Sequence, residues 1–82
     1  MKDILAERIL EVIRKYSEPL ETKEISQHLE EAKIKDVTRT KLFYRLTNLR
    51  GEGLIKGKFV GPGKGVWIWW ADAIFTNREG KK

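Results

Sequence analysis

From Leu5 onward the apolar residues Leu5, Ile9, Val12, Ile13 and Tyr16 recur three or four apart, with Glu7, Glu11, Arg14 and Lys15 between them. That spacing predicts an amphipathic helix to about Tyr16, with Asp3 as its cap. Pro19 biases Glu18 away from the helical region and ends it, leaving Leu20 in a short extended segment. Ile25 and Leu29 then predict a second helix over about 23–32. Thr22 is its expected cap, and Glu21 and Glu24 lie at the positive end of its dipole. After the connector "AKIKDV", Thr38 is a third cap, and Leu42, Leu46 and Leu49 form one stripe at i, i+4, i+7. Val37 and Leu42 are spaced for a hydrophobic staple, and Gly51 and Gly53 stop the helix.

Beyond Gly53 the period changes from helical to alternating. "LIKGKFV" and "VWIWW" read as two antiparallel strands joined by the loop "GPGKG". Ile55 and Phe59 share one side of the first strand, and Lys56 and Lys58 the other. In the second strand Trp67 and Trp69 point one way, while Val66, Ile68 and Trp70 point the other. Only one set can face the helices. One β-branched residue with one indole suits a small interior better than two adjacent indoles, so Ile68 and Trp70 are expected inside. Trp67 and Trp69 are then expected on the open sheet face, their edges shielded by lysine stems, as a protein interface. The domain spans 3–70, and residues 71–82 are expected to form a polar tail, disordered at its end.

Composition narrows the class. Eighty-two residues allow one domain with a modest core, and with no cysteine there is no disulfide staple. A zinc framework is not expected where His28 is the sole histidine and cysteine is absent. No metal or other cofactor is implied. Neither a membrane span nor a signal-peptide core is visible, which predicts a soluble cytoplasmic protein with no membrane partner. Charged residues make up 35% of the chain, a usage that resembles that of hyperthermophiles. The net charge of +5 is unevenly placed. Residues 1–36 carry seven Lys/Arg against nine Asp/Glu, whereas residues 37–82 carry ten against three. A second half at +7 favours a polyanionic partner there.

The order helix, short strand, helix, helix, strand, loop, strand resembles that of the winged helix-turn-helix DNA-binding family, in particular its small archaeal-type regulators. The resemblance covers roughly residues 3–70. It rests on "EPLETKEISQHL", similar to the family's extended lead-in and second helix, and on "TRTKLFYRLTNLRGEGLI", similar to its third helix closed by Gly-Leu-Ile. The connector between the second and third helices is longer than the turn of a simple helix-turn-helix. The resemblance implies an α+β winged helix in the order α-β-α-α-β-β. It also implies double-stranded DNA as partner, a role in transcription regulation, and a nucleoid-associated location. On it, helix 38–52 enters the major groove and the 60–65 wing follows the phosphate backbone.

With the leucine stripe inward, 100° steps place Thr40, Tyr44, Thr47 and Asn48 outward, with Lys41 and Arg45 on the flanks. Thr40, Lys41, Tyr44, Arg45 and Asn48 are the candidate base contacts, since Asn suits adenine and Arg or Lys suits guanine. The third helix opens with Arg39 and Lys41, just after Lys33 and Lys35. Cations there oppose the helix dipole, a penalty that a phosphate docked on the free N–H groups would reverse. Lys35 and Arg39 there, with Lys56, Lys58 and Lys64 on a hairpin suited to tracking the backbone, are the candidate phosphate contacts. "GPGKG" lacks the spacing of a nucleotide-binding P-loop. His28 has no catalytic constellation beside it in sequence, and no enzyme is expected. A homodimer reading two half-sites is expected, because one helix covers few base pairs. The competing reading is a winged-helix module that binds another protein through its Trp-bearing sheet face.

Overall fold

The structure is a computed structural model, which describes residues 3–63 and 65–71. Three helices, α1 (Ile4–Lys15), α2 (Thr22–Glu31) and α3 (Arg39–Gly51), pack on a sheet of β1 (Leu20–Glu21), β2 (Lys56–Val60) and β3 (Val66–Trp70). The strands are antiparallel in the order β1-β3-β2, so the short segment after α1 pairs with the last strand. Element order and class are those the sequence predicts, an α+β winged helix. Residues 72–82 and Lys64 lie outside the described residues, and with them the expectations for the tail and for the loop lysine.

Each helix is delimited by local chemistry. The Asp3 carboxylate accepts the Ala6 N–H at 3.2 Å and starts α1. At α2 the cap is Glu21 rather than the expected Thr22, and the Glu24 side chain accepts the Glu21 N–H at 2.8 Å. Thr38 caps α3 through the Lys41 N–H at 3.1 Å. Gly53, at φ +81°, takes the left-handed turn after α3, and the Leu54 N–H returns to the Leu49 carbonyl at 3.0 Å. Lys33 makes the same turn after α2 at φ +65°, where the Ile34 N–H meets the Leu29 carbonyl.

The interior draws on every element: Ile9 and Ile13, Leu20, Ile25 and Leu29, Leu42, Leu46 and Leu49, Ile55, and Trp69. The leucine stripe of α3 is buried as expected. The orientation of β3 is the reverse of the expected one. Trp69 is fully buried at 0% exposure, and Ile68 and Trp70 lie on the outer sheet face, each only half-buried. The reason is on the neighbouring strand. Gly57 pairs with Trp69, and a Cβ there would come within 2.6 Å of the indole. The missing side chain opens a slot on the inner face that one large ring fills. Trp67 then lies beside Trp69, its ring stacked at 5.1 Å between centroids. Two adjacent indoles do fit, because they stack on each other and meet the edge of Phe43.

Thr22, relieved of capping, has a different task. Its hydroxyl accepts the Trp69 Nε1–H at 2.9 Å, so the indole enters the core with its polar edge satisfied. Thr22→Val is therefore expected to lower stability by about 1–3 kcal/mol, the cost of leaving a buried donor unpaired. Urea unfolding would measure it. Elsewhere the Tyr16 ring stacks on His28 at 4.4 Å, joining the end of α1 to α2 as a packing pair.

Candidate nucleic-acid interface

The outward face of α3 is built by its inward one. Leu42, Leu46 and Leu49 fix the helix rotation, which leaves Thr40, Lys41, Tyr44, Thr47 and Asn48 exposed. Tyr44 is the largest of them and is 60% exposed. Thr47 contributes little polarity, because its hydroxyl donates back to the Phe43 carbonyl at 2.7 Å. The front of the helix is thus Thr40, Lys41 and Tyr44, with Asn48 turned towards the α1 flank, where it borders a groove with Arg45 and Asp3.

Arg45 lies on a flank of the helix, as expected, and has a partner there. Its Nε lies 2.7 Å from Asp3 Oδ2, an ion pair that ties the middle of α3 to the start of α1. The Nε–H is not aligned for a hydrogen bond, so the contact is charge attraction alone. Seated there and half-buried, the guanidinium ties the helix pair together, with its Cζ 5.8 Å from the Tyr44 ring. Sequence periodicity placed it on a flank but could not tell which element covers that flank.

At the N-terminus of α3, the Lys41 N–H is taken by Thr38 and the Leu42 N–H by the Thr38 carbonyl at 2.9 Å. Arg39 is exposed, and Lys41 Nζ donates to the Asp36 carbonyl at 3.3 Å. Lys35 is exposed on the connector just before it. These three cations border the same end of α3. Lys56 and Lys58 pair across the sheet with Trp70 and Ile68, on the face turned away from the helices. Among the described residues, the expected phosphate contacts therefore fall on two separate sides of the molecule.

Between α3 and the strands lies a cleft of about 800 Å³, with Phe43, Tyr44, Phe59 and Trp67 on its walls. The alternation along β2 puts Phe59 on the same side as Ile55 but implies no role for it. It is 53% exposed, and its ring covers Gly65, where a Cβ would meet it at 2.3 Å. Gly65 also has φ +60°, a conformation that glycine alone adopts cheaply. The pair of signals, an exposed aromatic and a glycine across the hairpin from it, is present in the sequence. The expected protein interface of Trp67 and Trp69 is not formed: Trp69 is core, and Trp67 is half-buried beneath Phe43, Phe59 and the Arg50 guanidinium, which lies 5.5 Å from its ring.

Among the described residues there is no group of three His, Cys, Asp or Glu that could hold a metal. None of their helices is long and apolar enough to cross a membrane. No protein-family model matches the chain, and no curated protein matches its sequence. Solved structures do match its fold. A PadR-like transcription factor from Bacteroides fragilis superposes with a TM-score of 0.72 at 22% identity, over 94% of this chain and 78% of that one. PadR of Bacillus subtilis, solved in complex with operator DNA, superposes with a TM-score of 0.70 at 19% identity. That match covers 84% of this chain and 40% of the other, so this chain spans less than half of the PadR length. These likenesses establish the winged-helix fold.

Proposed function

We propose that the chain binds double-stranded DNA as a small transcription regulator, with α3 in the major groove and the hairpin of β2 and β3 as the wing on the adjacent backbone. The observation that carries this is α3 itself: a helix fixed by three buried leucines, whose outward side is uncovered and bears Thr40, Lys41 and Tyr44, with Asn48 beside them. The hydroxyl and ammonium groups on this accessible face, with the Asn48 amide at its edge, match the donors and acceptors of base edges. The likeness to PadR, whose structure holds operator DNA, supports the same assignment. Arg39, Lys41 and Lys35 surround the start of α3, where a phosphate would relieve the opposition between these cations and the helix dipole.

In this arrangement Arg45 positions α3 rather than reading a base. Lys56 and Lys58 contact a backbone only on the outer side of the wing. A homodimer belongs to the proposal because one α3 covers few base pairs, and two copies on half-sites one helical turn apart gain affinity and specificity. Trp67 and Trp69 no longer support it.

The test is the salt dependence of binding to random duplex. Each neutralised phosphate contributes a slope of roughly −0.9 in log K against log salt. Lys35→Ala with Arg39→Ala is expected to flatten that slope by about 2 and to weaken specific and random duplexes alike. An unchanged slope would remove phosphate from the start of α3.

A further inference from the structure

The two elements proposed to hold DNA are separated by a surface ill suited to a duplex backbone. The cleft between α3 and the hairpin is walled by the rings of Phe43, Tyr44, Phe59 and Trp67, and Lys23 and Arg39 also line it. Two of those rings are open to solvent, Tyr44 at 60% and Phe59 at 53%. In a duplex the bases are stacked on one another, so it presents groove edges, sugars and phosphates but no base faces. An aromatic ring face is matched by a base that has left the stack.

The cleft is also held in shape. Trp67 stacks on the buried Trp69, and Phe43 and Phe59 both meet the Trp67 ring edge-on, at 6.1 Å and 6.0 Å between centroids. Gly65 gives up its side-chain volume to the Phe59 ring. Phe59 is thus a ring fixed before any ligand arrives, which lowers the ordering cost of stacking on it. Two cations against the single carboxylate of Glu21 leave the lining net positive, as a phosphate-linked base requires.

We infer that this cleft binds an unpaired nucleobase of single-stranded DNA, stacked on Phe59 and Tyr44, with its phosphates beside Lys23 and Arg39. The inference rests on the nucleic-acid reading above and extends it from paired to unpaired DNA. Stacking tolerates any base, so binding of this kind carries little sequence preference.

The experiment is a tryptophan-fluorescence titration of the full chain with three probes: a short oligothymidylate, an abasic oligomer of the same length, and a fully paired random duplex. Oligothymidylate is expected to bind and to quench Trp67 emission, and the abasic oligomer to bind at least about tenfold more weakly. Phe59→Leu, which keeps an apolar side chain but removes the ring, should cost about tenfold on oligothymidylate, Phe59→Trp should restore it, and duplex affinity should stay within about twofold. Equal binding of the thymidylate and abasic oligomers by the unaltered chain would overturn the inference, whatever the variants do. Duplex binding without single-strand binding would overturn it alone. Failure of both oligothymidylate and duplex to bind would overturn it together with the duplex reading.

Discussion

Trp69→Ala is expected to lower the free energy of unfolding by about 3–5 kcal/mol, the range for removing a large buried aromatic. The side chain is fully buried, stacks on Trp67, meets Phe43 at 5.7 Å, and fills the slot over Gly57. Its loss also strands the Thr22 hydroxyl, which accepts its N–H. A domain of this size has a total stability of roughly 5–15 kcal/mol, so the variant should be marginal. Its melting temperature should fall by roughly 12–40 °C, at about 4–8 °C per kcal/mol. Trp70→Ala, on the outer face, should cost clearly less. Thermal melts of the two variants side by side decide the orientation of β3, and a larger loss at Trp70 would contradict it.

The second large effect concerns specificity. On a duplex selected from a random pool, Tyr44→Ala and Asn48→Ala are each expected to reduce preference over random DNA by about 1–3 kcal/mol. Affinity for random duplex should hardly move, because that affinity comes from phosphates rather than base edges. Both side chains are exposed and neither belongs to the core, so the folded state should tolerate the changes. Competition gel shifts with selected and random duplexes measure the ratio directly. Variants that keep the full preference would mean that the outward face of α3 does not read bases.

Much of the fold is legible in the sequence because its helices announce themselves. The Asp3 and Thr38 caps, the leucine stripe of α3 and the Gly53 turn are local features, and each is where periodicity and cap chemistry put it. The direction of β3 is not local. Alternation divides Trp67 and Trp69 from Ile68 and Trp70, but which pair goes inward depends on the facing strand. Gly57 holds the answer, since a glycine on the inner face opposite a tryptophan leaves room for its ring. An argument from side-chain size alone passes over that gap. The exposure of the candidate residues is legible to a similar degree. Thr40, Lys41, Tyr44 and Asn48 are exposed as the helical step predicts, whereas Arg45 is claimed by Asp3, a residue 42 positions away along the chain. Lys56 and Lys58 share a face by their spacing, but that face is turned away from the helices because Trp69, on the other side of the sheet, points inward.

The most direct test of groove insertion by α3 is an amide chemical-shift titration of the isotope-labelled chain with the selected duplex. The account predicts that the largest shifts fall on residues 39–48, with a second group on the hairpin, and that the buried faces of α1 and α2 stay nearly still. Shifts concentrated on the outer sheet face around Lys56, Lys58, Ile68 and Trp70, with residues 39–48 unmoved, would contradict it.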